Sequence, residues 1–158
     1  MKETLVKFAG YNQWANDKLI TLLIQKAPEL IEKEIGSSYA TIKQTFLHMA
    51  DAELIWHARL TDADFPDLPS KAGKPITFLK EADQLLTDFL SSKSEDYFIQ
   101  ATSYKNLKGD AFTNMNNAIL MHIFNHATFH RGQVVSMLRN AGYKGQIEST
   151  DFISFERS

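Results

Sequence analysis

Apolar residues recur at helical spacing along nearly the whole chain. Positions i, i+3, i+4 and i+7 share one face of an α-helix, so each such run predicts a helix with one buried stripe. Leu5, Phe8, Ala15, Leu19 and Leu22 make the first stripe, and Pro28 closes that segment. Gly36-Ser37-Ser38 offers a break and an N-cap before a second segment over residues 39–63, with Ile42, Phe46, Met49, Leu54 and Leu60 on its apolar face. Pro66, Pro69, Gly73 and Pro75 mark residues 64–75 as a loop. The third segment, 77–93, has the cleanest pattern: Phe78, Ala82, Leu85, Leu86, Phe89 and Leu90. Between 95 and 114 the helical period lapses. Tyr97-Phe98-Ile99, the turn signal Asn106-Leu107-Lys108-Gly109 and then Ala111-Phe112 predict a short β-hairpin. A fourth helix covers 114–141, with Gly142 placed as its C′ residue. Phe152, Ile153 and Phe155 give the tail a reason to dock on the body.

Four helices of such length pack side by side, so the predicted class is all-α: a four-helix bundle, with the hairpin before the last long helix. The 158 residues suit one domain with a real core. The 64–75 loop and the 95–114 insert imply connections other than simple up-and-down hairpins.

Composition narrows the chemistry. Seventeen Lys+Arg against nineteen Asp+Glu give a formal charge of −2 with no basic run, so no nucleic-acid footprint is visible. With no cysteine, disulfides, thiolate metal sites and a cysteine nucleophile are all excluded. Lys7, Asn12, Gln13, Asn16 and Asp17 interrupt every N-terminal apolar run, and no stretch approaches the roughly 20 apolar residues of a membrane span. The expectation is a soluble cytoplasmic protein without nucleic-acid or membrane partners.

Three of the five histidines, His122, His126 and His130, fall within nine residues of the fourth helix. At about 100° per residue they lie within roughly 40° of His126, as do Met115, Ile119 and Met137, which predicts histidines in the middle of the core stripe. Imidazoles at i and i+4 are neighbours and can converge on one ion. His122 and His130 stand about 12 Å apart along the axis, so one ion takes either His122/His126 or His126/His130. A third ligand must come from another helix, where His48 and His57 point in opposite directions. Against this stand two plainer readings, hydrogen-bonded structural histidines and a proton-shuttling pair.

Several classes fall away. No histidine is followed by the glutamate of the zinc metalloproteases, and none stands three residues after a glutamate as in di-iron bundles. Neither glycine-rich nucleotide-binding signature occurs, and no elbow motif supports a serine nucleophile.

Three segments together carry a family resemblance: Tyr11-Asn12-Gln13-Trp14-Ala15-Asn16; Leu47-His48-Met49-Ala50 with Glu53 and Trp56; and Asn125-His126-Ala127-Thr128-Phe129-His130-Arg131-Gly132-Gln133. In this order they resemble the first-helix, second-helix and H-x-x-x-H-R-G-Q elements of the DinB/YfiT-like family of metal-dependent enzymes. The resemblance implies a four-helix bundle holding one divalent ion, zinc or nickel, on His48, His126 and His130. It leaves His122 as pocket lining or support behind the ligands. It further implies a thiol S-transferase or hydrolase that activates a low-molecular-weight thiol, or water, for attack on a small-molecule electrophile, and it suggests a homodimer. The rival is a non-catalytic bundle that binds metal or a small ligand. Asn12, Gln44 and Asp51, with Thr41 and Ala52, are the polar or small neighbours expected near such a centre, each with an ordinary helix-end or helix–helix hydrogen bond as the alternative role. Arg131 and Gln133 belong to the motif, the arginine with a structural acidic partner as its alternative.

Overall fold

A computed structural model describes all 158 residues. Four long helices dominate: α1 (Lys2–Lys26), α2 (Ile42–Thr61), α3 (Phe78–Ser92) and α4 (Asn116–Asn140). A hairpin of β1 (Ala101–Lys105) and β2 (Ala111–Met115) precedes α4, and one helical turn, α5 (Phe152–Phe155), lies in the tail.

Side-chain contacts fix the arrangement. α1 and α2 occupy opposite corners, each packed on α3 and α4. α1 runs against α3, since Lys2 donates to the Ser91 carbonyl while Gln13 donates to Gln84. α2 runs against α4, bringing Thr45 to Met137 and Trp56 to His122. α1 and α4 run parallel, from Asn117 beside Met1 to Arg131 beside Asn12, so α2 and α3 are parallel neighbours, a relation that requires a long return connection. Residues 62–77 provide it, and Asp51 pins it by accepting from the Ser70 backbone N–H (3.1 Å) and hydroxyl.

The element ends follow local chemistry. Thr41 caps α2 by accepting from the Gln44 N–H at 3.1 Å, and the Gln44 side chain reaches back to the Ala40 N–H at 3.1 Å, nearly a capping box. This moves the helix start from the expected residue 39 to 42, because the reciprocal Thr–Gln pair satisfies backbone donors that Ser37 and Ser38 leave alone. α4 ends in a Schellman arrangement: Gly142 adopts φ 96° and donates to the Arg139 carbonyl, while Tyr143 donates to that of Leu138.

The hairpin is present, but Tyr97-Phe98-Ile99 is not its first strand. Those residues belong to a 3-10 turn, Glu95–Ile99, that buries Phe98, and pairing starts at Ala101↔Met115. The tail docks as expected: Phe152 stacks on Phe8 with centroids 4.8 Å apart, and Phe155 meets Trp14 edge-on at 5.6 Å. Ile153 points outward.

Two apolar clusters fill the bundle. One gathers Leu19–Leu30, Ile42–Ala50, Ile76–Ala82 and Ala127–Leu138 at one end; the other gathers Leu5, Ala9, Leu60, Leu86–Phe98 and Ile119–Phe124 at the opposite end. Between them lies a layer of buried polar side chains: Asn12, Asn16, Glu53, Asp83 and Arg131.

Candidate metal centre

The α4 stripe differs from its expected position. Its buried residues are Asn116, Ile119, Leu120, Ile123, Phe124, Ala127, His130, Arg131, Val134, Met137 and Leu138, which centre near Ala127 rather than His126. His126 thus sits on the flank, half-buried, His122 is exposed, and Met115 is exposed too. Apolar residues on several sides of α4, including the exposed Met121 and Phe129, made the face ambiguous by periodicity; packing against α1 and α2 selected one. The flank is where α4 meets α2, and that seam is where the histidines act together.

His48 on α2 and His126 and His130 on α4 bring ligand atoms within 4.8 Å of one another. The Nε2 of His126 lies 3.0 Å from the Nε2 of His48 and 3.0 Å from that of His130. Two of the ligands come from adjacent turns of one helix, and the antiparallel neighbour supplies the third. His57 is turned away, edge-on to Phe89 of α3 at 5.0 Å.

The donor set fits a divalent ion. Nitrogens bound at ~2.0–2.1 Å to a common centre stand about 3 Å apart. Without a cation the same geometry is frustrated, because a neutral imidazole has one N–H and His126 Nε2 can donate to only one of its two neighbours. The Nδ1 of His130 is 2.8 Å from Gln133 Oε1, so that nitrogen carries the proton and leaves Nε2 with its lone pair inward. Gln133 in turn donates to Ser38 Oγ at 2.8 Å. Burial lowers the pKa of all three histidines; neighbouring imidazoles reinforce this at His48 and His126, and His126 falls to about 4. They are neutral at physiological pH, the form a metal requires. Tyr39 lies against His48 (4.7 Å between centroids) and Phe129 against His130 (5.2 Å).

The DinB family model matches residues 1–158. This chain belongs to the DinB family. Protein DinB of Bacillus subtilis (strain 168) is 27% identical over 154 residues, covering 90% of this chain and 89% of that protein.

The DinB elements read in the sequence part company in the fold. His48, His126, His130 and Gln133 go to the histidine cluster, whereas Asn12, Asn16, Glu53 and Arg131 go to the polar layer. Arg131 donates to Asn12 Oδ1 (2.6 Å), Asn16 Oδ1 (3.1 Å) and Thr128 Oγ1 (2.8 Å). The Asn12 amide donates to Glu53 and Asp83, each at 2.9 Å, and the Asn16 amide donates to Asp83 at 3.0 Å. The two asparagines thus relay the guanidinium charge to the carboxyls instead of letting Arg131 pair with one directly. Burial, then the Asp83 charge, raises the Glu53 pKa well above the carboxylate range, and burial raises Asp83 from 3.8 to about 6. Glu53 Oε2 has no donor partner, an environment that suits a protonated carboxyl, in line with its raised pKa.

The remaining candidates have other work. Asn12 lies in this layer, away from the imidazole nitrogens. Gln44 and Thr41 cap α2, Asp51 holds the 62–77 connection, and His122 packs on the Trp56 ring at 5.4 Å. Asp83 escaped the sequence reading because an aspartate inside an apolar stripe of α3 carries no motif; its place between Ala82 and Leu86 on the buried face was the one available signal.

Proposed function

We propose that this DinB protein is a metal-dependent enzyme, a thiol S-transferase or hydrolase acting on a small electrophilic substrate, with zinc or nickel on His48, His126 and His130. The observation that carries this reading is the convergence of three imidazole nitrogens with no fourth His, Cys, Asp or Glu in the group. Structural zinc sites close their shell with a fourth protein ligand, whereas three ligands leave a position for chemistry. A divalent ion held there supplies Lewis acidity that lowers the pKa of a thiol or water in the open position.

The chain's own residues do the rest. The histidines stay neutral and inward, Gln133 fixes the His130 tautomer, and the Tyr39 and Phe129 rings flank the cluster. Because the chain has no cysteine, any thiol consumed must arrive on a cosubstrate.

Elemental analysis of protein purified without a polyhistidine tag is expected to give close to one zinc or nickel per chain, and His126→Ala to abolish it. Unchanged stoichiometry in that variant would overturn the ligand set. A screen pairing small thiols with electrophiles is expected to reveal turnover that a chelator removes and the metal restores; chelator-insensitive turnover would sink the mechanism.

A further inference from the structure

The outer face of α2 continues past the histidine cluster. His48, Ala52, Ile55 and Arg59 follow one another at four- and three-residue steps, so they form a single stripe, and His48 and Arg59 stand about 16 Å apart along the axis. An aromatic track runs beside it: His126 to His122 at 6.1 Å, His122 to Trp56 at 5.4 Å and Trp56 to Tyr104 of β1 at 4.9 Å between centroids. The track ends at a cavity of about 670 Å³ between α2, residues 62–65 and the hairpin. That volume lies within the range of small-molecule pockets, about 300–1,000 Å³. Ile55, Phe65 and Phe112 give it apolar walls, and both phenylalanines expose about half or more of their surface, 60% and 47%.

Arg59 stands where the track meets the cavity. Its guanidinium is held over the Trp56 ring at 4.5 Å and over Tyr104 at 5.0 Å. Arg59 takes part in no ion pair and no side-chain hydrogen bond within the chain, although burial already depresses its pKa. The other charged residues lining the cavity are Lys105 and Asp62, so cations outnumber anions there. A guanidinium held between two rings, with its donor fork unused, is arranged to receive a carboxylate in bidentate fashion.

We propose that Arg59, at the mouth of this cavity, binds the carboxylate end of an elongated, apolar-bodied substrate or cosubstrate whose reactive end lies at the histidine cluster. The carboxylate accepts from Arg59 at the mouth of the cavity, and the apolar chain runs back along Ile55, Trp56 and His122 toward the cluster. The assignment as a substrate site rests on the metal-enzyme reading; binding at Arg59 does not.

The test uses the full-length, metal-loaded protein in a Trp14→Phe background, leaving Trp56 as the sole tryptophan. Decanoate and decan-1-ol, equal in chain length, are titrated by Trp56 fluorescence. Decanoate is expected to bind about tenfold or more tighter than the alcohol, and Arg59→Gln to bring it to the alcohol's level while metal content and helicity stay unchanged. Arg59→Lys should restore part of the preference. Equal binding of acid and alcohol, or equal decanoate affinity in wild type and Arg59→Gln, overturns the proposal. In cobalt-substituted protein, an ω-mercapto-undecanoate should perturb the cobalt bands at lower concentration than undecanethiol, and only while Arg59 is present. If decanoate binding depends on Arg59 but neither thiol perturbs the cobalt, the carboxylate site stands and the thiol chemistry falls. If both thiols perturb it at the same concentration, the two sites are not bridged by one ligand and the substrate assignment fails.

Discussion

Gln133 and Glu53 show how much one side chain contributes when its neighbours leave no alternative. Gln133 accepts from His130 Nδ1 and so decides which ring nitrogen faces the cluster. Gln133→Leu removes that acceptor with little change in volume, and metal affinity is expected to fall about 10–100-fold while the helices remain intact, measured by competition with a chromophoric chelator. Glu53 is buried among partners suited to a protonated carboxyl. Glu53→Gln keeps the shape and the neutral state, so its effect on urea unfolding at neutral pH is expected to stay within about 1 kcal/mol. Glu53→Ala leaves a cavity and deprives the Asn12 amide of an acceptor, with an expected loss of about 2–4 kcal/mol. Similar losses in both variants would mean that Glu53 is ionised in the fold.

At the scale of the element, α2 bears on everything the site needs. Its first turn carries the Thr41–Gln44 cap, its middle presents His48 to α4 and Asp51 to the crossover, and its last turns hold Trp56 and Arg59 against the hairpin. Thr41→Ala removes the side-chain acceptor for the Gln44 N–H, and a loss of about 1 kcal/mol in urea unfolding is expected. Hydrogen exchange should locate the added opening in the first turn of α2; a change spread evenly over the bundle would contradict a local cap. The element also marks where sequence patterns stopped being decisive. Of the α2 stripe Ile42, Phe46, Met49, Leu54 and Leu60, all but Leu54 are buried; Leu54 lies about a third of a turn from the rest and is only half-covered. On α4, apolar residues occur on several sides, so the 3.6-residue period alone placed the core stripe about a quarter-turn off. On α3, Leu85 is exposed while Asp83 is buried, because Asn12 and Asn16 offer Asp83 donors that no one-dimensional pattern can show.

For the whole molecule, the proposed metal would compete with protons for the same three nitrogens. The folded-state pKa values of His48, His126 and His130 lie below 6.5, that of His126 near 4, so in the metal-free protein the unfolded chain takes up protons first as pH falls and stability declines below pH 6.5. Asp83 acts with the opposite sign: its raised pKa contributes stability at low pH that is lost as pH rises toward about 6. Comparing metal-loaded with metal-free protein cancels that second contribution. With free metal at a thousandfold its Kd, loading is expected to stabilise by about 4 kcal/mol at neutral pH. The gap in thermal midpoint should then close progressively between pH 6.5 and 4 as the histidines protonate; a constant gap across that window would exclude them as ligands. No helix is long and apolar enough to cross a membrane. Periodicity, punctuation by proline and glycine, and motif order were enough to establish four helices, a hairpin, a docked tail and the DinB resemblance, since each depends on residues near one another in the chain. Spacing alone left His122/His126 against His126/His130, and His48 against His57. The antiparallel packing of α2 on α4 brings His48, His126 and His130 together and leaves His122 and His57 outside, because which imidazoles converge depends on which helix faces meet and at what height. Packing of α1 and α3 against α2 and α4 places the rest of the motif in a buried polar layer, and packing of the hairpin on α2 brings Tyr104 to Arg59, since those partners lie tens of residues apart in sequence and only the fold makes them neighbours.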